Sequence, residues 1–217
     1  MLKKIYYWFR DKTSRSEEKG EASGGIWQTE VRQAALDLCD IESGRILEVG
    51  CGEGLFLRKL TEKRPSLKLS GIDISLQKLL KARQRLNAVN AEIFQSDAAK
   101  IPFKTSVFDM VFCINTIFNM PEKKAVSQSI KEMGRVCKEG GKVIIDIRNS
   151  LNPLLFLKYR LAKYYDGTVV NLPLKTYNFK EITSFLDKSG LKVIRKKCLG
   201  FPYNIFSPII LIEAKKC

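Results

Sequence analysis

The 217-residue sequence contains no histidine. This absence excludes histidine-based catalytic triads, a histidine general base and histidine metal ligands. The six cysteines are scattered and form no C-x-x-C pair, so we expect neither a disulfide framework nor a metal site, and a reducing compartment suits them. No apolar run approaches the roughly 18 to 20 residues that cross a bilayer. We therefore expect a cytoplasmic protein without a metal centre.

Acidic residues are also scarce. Lys and Arg number 38 against 23 Asp and Glu, which gives a net charge of +15. Residues 151–217 contribute strongly to this surplus, with twelve basic and four acidic side chains. Such a surplus permits peripheral contact with RNA or with an anionic membrane, although a solvated basic surface is the simpler interpretation. Charge alone identifies no site and no oligomeric state.

The chain does contain apolar strand patterns that alternate with helical patterns. We predict strands at residues 46–49, 67–73, 91–96, 107–114 and 142–147. Helices are predicted at about 28–39, from Gly54 to before Pro65, from Ser75 to about Leu86, and from Pro121 to Cys137, where Gly140-Gly141 would end the last helix. This alternation predicts an α/β fold with a parallel sheet and helices on both faces.

The two ends of the chain have a different composition. After an aromatic start, residues 11–25 are polar, and we assign residues 1–27 to an N-terminal arm or cap. Residues 28–217 form the main domain, with a cap-like insertion at about 151–177 that mixes aromatic, aliphatic and basic residues. That insertion contains a predicted helix at 154–165. Beyond it we predict a helix at 178–188 and strands at 191–199 and 208–215.

The most informative stretch runs from Ile46 to Gly54 and reads ILEVGCGEG. It predicts a buried strand that turns through three glycines into a helix, where backbone can approach a ligand closely. Glu48 stands inside an apolar strand and needs a partner to offset its burial. The G-x-G-x-G spacing differs from the G-x-G-x-x-G of nicotinamide enzymes, and no lysine followed by Ser or Thr forms a P-loop.

Two further acids end the next two predicted strands. Asp73 lies at the carboxyl edge of the second strand, where it can accept both hydrogen bonds of a ribose diol. Asp97, with Ala98, follows the third strand, where it can meet an adenine edge. Together with the glycine loop they predict an adenosine pocket across the carboxyl ends of three adjacent strands.

These motifs resemble those of the class I S-adenosylmethionine-dependent methyltransferases, in the small-molecule branch that includes quinone-type enzymes. The resemblance covers about residues 30–150 and is carried by the stretches 48–54, 71–75, 97–98 and 108–113. It implies a Rossmann-like, doubly wound, mainly parallel sheet of seven strands with an antiparallel last strand and helices on both faces. It also implies S-adenosyl-L-methionine as the cofactor.

By the same resemblance, Glu48 lies near the amino group of the cofactor, Asp73 holds its ribose and Asp97 lies by its adenine. The implied cofactor-binding residues are Glu48, Gly50, Cys51, Gly52, Gly54, Asp73, Ile74, Asp97, Ala98, Cys113 and Asn115. For Cys51 and Cys113 we expect a packing role for the side chain.

Methyl transfer from a sulfonium needs mainly the alignment of donor and acceptor, and a general base is optional. No motif identifies a catalytic residue. Asp146 and Arg148 are candidates because they end the fifth predicted strand at the edge where ligands bind in open α/β sheets.

We predict methyl transfer to a small acceptor of hydrophobic or lipid-like character. No appended RNA-binding module is visible, and residues 113–116 read CINT and form no Asn-Pro-Pro-Tyr motif. Two alternatives remain open: an RNA methyltransferase, motivated by the charge, and a non-catalytic regulatory subunit that binds adenosylmethionine.

Overall fold

Seven strands form one sheet in the computed structural model, which describes residues 4, 8, 26–87, 91–165 and 173–217. The order across the sheet is β3-β2-β1-β4-β5-β7-β6. The strands are β1 Gly44–Val49, β2 Leu67–Asp73, β3 Ala91–Gln95, β4 Phe108–Cys113, β5 Cys137–Arg148, β6 Leu191–Leu199 and β7 Ile209–Lys216. The first five strands pair in parallel, and β7 runs antiparallel to both of its neighbours. The predicted fold class is confirmed.

The helices cover both faces of this sheet. They are α1 Ile26–Asp37, α2 Leu55–Lys63, α3 Leu76–Arg85, α4 Lys123–Val136, α5 Pro153–Tyr165 and α6 Phe179–Asp187, with a short 3₁₀ helix at Ile117–Asn119. Neighbouring residues of a strand point to opposite faces. Accordingly, Leu47 packs into the core under α4 and α6, while Ile46 packs into the core under α1, α2 and α3.

Strand β5 begins earlier than the sequence predicts, and the prediction that Gly140-Gly141 ends a helix is wrong. Helix α4 already ends at Val136, whose carbonyl accepts from Val107 N–H at 2.8 Å. Cys137 then pairs with Phe108, and a register shift within β4 and β5 absorbs the glycines. A Cβ at Gly141 would lie 2.8 Å from the Asp109 carbonyl oxygen. Gly141 therefore serves a close approach inside the sheet, while Gly140 supplies a positive φ of +74°.

The ends of the chain are described in part. Helix α1 begins at Ile26, so Trp27 belongs to a helix, while the arm predicted before it lies outside the described residues apart from residues 4 and 8. Residues 166–172 of the predicted insertion also lie outside them. The division into an arm, a domain and an insertion stays a prediction. Among the described residues, no helix is both long and apolar enough to cross a membrane.

Candidate functional site

The glycine loop folds back from the end of β1 onto β2. The N–H groups of Gly50 and Cys51 both donate to the Ile72 carbonyl, at 2.7 and 2.9 Å. Gly50 has φ +78°, and a Cβ there would lie 2.3 Å from Thr116 Oγ1. Gly54 has φ +77° and precedes the first turn of α2. These positions need glycine because both the backbone angle and the contact exclude a side chain.

Asp73 holds the loop to the start of α3. Its Oδ2 accepts from Gly52 N–H at 2.9 Å, and its Oδ1 accepts from Ser75 N–H at 2.8 Å. The side chain is half-buried. A carboxylate offers about four acceptor positions, so each oxygen keeps capacity for a ligand hydroxyl. Sequence reasoning placed Asp73 at this edge but did not foresee that it also fixes the loop.

Glu48 is a buried carboxylate with an oxygen that has no partner. It lies in β1 between Gly71 and Phe112 and is 4% exposed. Its Oε2 has no hydrogen-bond partner among the described residues, while Leu57 N–H donates to the carboxylate. Burial raises the pKa of Glu48 well above its usual range, although the nearby Arg32 cation opposes this shift. A buried carboxylate oxygen without a hydrogen-bond partner destabilises the folded protein unless a cation binds to it.

The residues predicted around the adenine lie at the adjoining strand ends. Ser96 N–H donates to the Asp73 carbonyl at 3.1 Å, which joins the end of β3 to the end of β2. Asp97 is exposed, and its Oδ1 accepts from Ala99 N–H at 2.8 Å. Ala98 is partly buried against the core, and Ile74 is 69% exposed. The fold thus brings these predicted residues to one edge.

Asn115 connects the end of β4 with two other parts of the chain. Its φ is +55°, and its N–H donates to Asp146 Oδ1. Its side-chain amide donates to the Gln28 carbonyl at 3.2 Å and accepts from Arg148 Nη2 at 2.9 Å. The roles of Gln28 and of Thr116, which packs on Gly50, were missed. They depend on long-range contacts that no local pattern records.

Asp146 and Arg148 form a buried ion pair. Their side chains are 0% and 2% exposed, and the guanidinium also lies 4.2 Å from the centre of the Phe118 ring. Burial raises the pKa of Asp146, while Arg148 and the Asn115 N–H act in the opposite direction. Both carboxylate oxygens are engaged, so these contacts favour a positioning role over proton abstraction. A catalytic role for either residue stays a prediction.

The two cysteines of the predicted site are packing residues. Cys113 is 0% exposed and lies in the core, and Cys51 Sγ would lie 2.9 Å from a Cβ built at Gly71. Burial raises the pKa of both thiols, so neither forms a reactive thiolate. Within the part of the chain that the structure describes, no three Cys, Asp or Glu side chains gather as metal ligands.

Comparison with known proteins gives consistent matches for this arrangement. A family model described as a methyltransferase domain matches residues 46–141. Phosphatidylethanolamine N-methyltransferase of Cereibacter sphaeroides is 32% identical over 147 residues, which cover 65% of this chain and 69% of that protein. Demethylmenaquinone methyltransferase of Bacillus cereus is 27% identical over 195 residues, covering 78% and 79% of the two chains.

A similar fold occurs among solved structures. Magnesium protoporphyrin IX methyltransferase of Synechocystis, with bound SAH, superposes with a TM-score of 0.70. The match covers 99% of this chain and 94% of that one at 16% identity, so it establishes likeness of fold.

Proposed function

The chain belongs to the class I S-adenosylmethionine-dependent methyltransferases, and on that premise we propose that its acceptor is a small hydrophobic or lipid-like molecule. The main observation that supports this acceptor class is the apolar segment that follows β5. It leaves the sheet at the edge of the candidate site and continues into α5, where Leu154 and Leu157 are 71% and 54% exposed. Two relatives are named for phosphatidylethanolamine and demethylmenaquinone, which supports the same class.

The candidate site suits the cofactor at its amino-acid end. When bound, S-adenosylmethionine supplies a methyl group that is already activated on a sulfonium. Glu48 Oε2 would accept from the ammonium of the methionine part, because this oxygen is buried and has no partner among the described residues. Gly50, Gly52 and Gly54 adopt positive φ angles, which glycine tolerates without strain, and the loop they form would present its backbone to the ligand.

The adenosine end is assigned to the neighbouring strands. Asp73 accepts from the ribose hydroxyls with the capacity that Gly52 and Ser75 leave unused. Exposed Ile74 would contact the adenosine part, and Asp97 with Ala98 would border the adenine edge. For Cys51 and Cys113 the contribution is limited to backbone, because both thiols are buried.

In this proposal, the protein accelerates methyl transfer by aligning the methyl donor with the acceptor. Asn115 lies at the donor end of the site, and Asp146 and Arg148 hold its backbone and its side chain. Asp146 remains paired with Arg148, so the proton of the acceptor leaves to solvent or to a group on the acceptor. Precise alignment of two reactants can contribute on the order of 7–11 kcal/mol to lowering a barrier.

A methyl-transfer assay with labelled donor tests the acceptor class. The full chain is incubated with separate cell fractions of lipid and quinone, RNA, and water-soluble small molecules. We expect label in a product that extracts into organic solvent. Label in the RNA fraction would instead support the RNA methyltransferase suggested by the net charge of +15, and label confined to water-soluble products would also overturn the proposal.

The Asp73→Ala variant is the control for this assay, because it should bind the methyl donor more weakly than the native chain. Loss of hydrogen bonds to a charged group should weaken adenosylmethionine binding by about 1–3 kcal/mol. Tight cofactor binding by the native chain, with no label in any fraction, would point to the regulatory-subunit alternative.

A further inference from the structure

Helix α5 and the loop 200–208 between β6 and β7 are joined by hydrogen bonds, and both expose apolar side chains; together they are called the docking face. Leu154, Leu157 and Leu161 of α5 are 71%, 54% and 43% exposed. In the loop, Phe201, Tyr203 and Ile205 are 83%, 64% and 59% exposed. Single exposed apolar residues are common, but a group of this size marks an interaction surface.

The leucines of α5 form one stripe along the helix. Positions 154, 157 and 161 are three and four residues apart, so they lie on one helical face. Leu155 points elsewhere and is fully buried, which fixes the stripe on the outside. At about 100° per residue, exposed Lys158 and Arg160 fall on opposite sides of the stripe. The helix therefore presents leucine flanked by cations.

Two asparagines join the helix to the loop. Asn152 accepts from Leu155 N–H at 2.9 Å and donates to the Phe206 carbonyl at 2.7 Å. Asn149 donates to the carbonyls of Ile205 and Ser207, both at 2.8 Å. These bonds hold the two segments in one fixed arrangement, so their apolar side chains can engage a single surface at once.

The docking face is mainly basic. Residues 147–165 and 199–208 contain no Asp or Glu, and an acid that contacts these segments is Glu30 of α1, whose Oε1 accepts from Gly200 N–H at 3.1 Å. Lys158 Nζ lies 3.7 Å from the centre of the Trp27 ring, beside the leucine stripe. A surface of aliphatic, aromatic and cationic groups, whose bordering acid Glu30 is already bonded to the loop, is complementary to a partner that is apolar inside and anionic at its boundary.

The docking face also lies at the edge of the sheet that carries the candidate site. Arg148, at the carboxyl end of β5, pairs with Ile209, the first residue of β7. Leu199, the last residue of β6, pairs with the same Ile209. Both α5 and the loop therefore start from the edge where β1, β2 and β4 end.

We propose that the docking face binds the surface of an anionic phospholipid bilayer. Helix α5 lies in the plane of the interface with its leucines among the acyl chains, Arg160 contacts lipid phosphates, and the loop 200–208 inserts its aromatic residues. This inference goes beyond the proposed acceptor class and holds for any acceptor. Its consequence is that an acceptor dissolved in the membrane reaches the site without crossing water.

Two other occupants fit the docking face less well. RNA is bound by cations together with aromatic stacking, whereas the stripe on α5 is aliphatic. A second copy of the chain would bring Arg160 of both copies together on helices that contain no acid. The bilayer matches both the aliphatic stripe and the basic character of α5.

Co-sedimentation of the full chain with phosphatidylcholine vesicles that contain increasing phosphatidylglycerol tests the proposal. We expect the bound fraction to rise with phosphatidylglycerol content. Leu157→Gln/Leu161→Gln should lower the partition coefficient roughly tenfold, because buried methylene groups supply the insertion energy. Arg160→Glu should lower it roughly fivefold or more.

Leu76→Gln/Leu80→Gln is the matched control. These leucines have the same spacing on α3 and are 48% and 50% exposed, and we expect no change in partitioning. Equal losses in both double variants, or a native chain that does not bind the anionic vesicles, would overturn the proposal. So would binding to poly(U) or self-association in sedimentation velocity that the α5 variant abolishes and the α3 variant leaves intact.

Discussion

At the scale of single residues, the Glu48 side chain meets two opposing demands. Its burial in β1 without a partner for Oε2 disfavours the charged form in the free protein. A bound ammonium needs that same charged form. In its proposed role, this position would trade stability of the free chain for affinity toward the ammonium of the cofactor.

Glu48→Gln should separate these two effects. Folding raises the pKa of Glu48, so the contribution of this carboxyl to stability is present at low pH and is lost as pH rises through its folded-state pKa. Because Gln does not ionise, the variant does not lose this stability as pH rises. Without cofactor it should melt at a higher temperature than the native chain at neutral and alkaline pH. Cofactor binding should weaken by about 1.5–3 kcal/mol, the scale of a hydrogen bond to a charged group.

Calorimetry in buffers of different ionisation enthalpy provides a second readout for Glu48. A bound ammonium lowers the pKa of the carboxyl, so binding to the native chain should release protons in the pH range between the two pKa values. The Gln variant should release none from this position. Proton release that is the same in both proteins would contradict the role assigned to Glu48.

Gly50 tests the contact between the loop and Thr116. Gly50→Ala should destabilise the fold through its φ of +78° and through a Cβ that would lie 2.3 Å from Thr116 Oγ1. Gly140→Ala is the control, because Gly140 has φ +74° but no heavy atom within 4 Å of the built Cβ. In urea unfolding, the control should lose about 1–2 kcal/mol from backbone strain alone. Gly50→Ala should lose roughly 1–3 kcal/mol more from overpacking, and equal losses would argue against the clash.

At the scale of elements, Asn152 links the start of α5 to the loop 200–208. It caps the helix through Leu155 N–H and bonds the Phe206 carbonyl. Asn178 caps α6 through Lys180 N–H at 2.9 Å, and within the described part of the chain its side chain makes this capping contact alone. Each asparagine therefore caps its own helix, but of the two only Asn152 also bonds to the loop 200–208.

Asn152→Ala and Asn178→Ala should each cost about 1 kcal/mol of stability, the typical value of an N-cap. Only Asn152→Ala should speed amide exchange in the loop, because the tie to Phe206 is then lost. Hydrogen exchange read out at residues 203–207 checks this difference. Faster exchange there in the Asn178 variant, or unchanged exchange in the Asn152 variant, would show that the loop is held by other contacts.

At the scale of the whole molecule, the candidate site joins the centre of the sheet to helix α1. Its residues come from the ends of β1, β2, β3, β4 and β5, which are adjacent in the strand order. Gln28 of α1 contributes through its bond with Asn115. Cofactor binding is therefore coupled to the global stability of the domain.

Adenosylmethionine at one hundred times its dissociation constant should raise the free energy of unfolding by about 2.7 kcal/mol. Because the site spans the central strands, exchange of amides in β1, β2 and β4 should slow together. Protection confined to the glycine loop, without a change in thermal stability, would mean that the cofactor orders a local segment only.

Sequence reasoning succeeded where the pattern is local and failed where distant segments meet. Strands β2 and β6 have the predicted bounds, and the helices and the remaining strands except β5 differ by one or two residues at their ends. The start of β5 was wrong because pairing of Phe108 with Cys137 extends the strand through residues that look like a helix terminator. Local propensity is weak there compared with ladder hydrogen bonds.

The sequence by itself determined the strand and helix order, the glycine loop and the acids Glu48 and Asp73, because each follows from period, spacing and the special backbone freedom of glycine. Only the tertiary structure decided that Thr116 closes on Gly50, that Asp146 is committed to Arg148 and that α5 shares one surface with the loop 200–208. These contacts join residues whose spacing along the chain has no fixed period. They depend on which strands become neighbours, and that follows from packing the whole core.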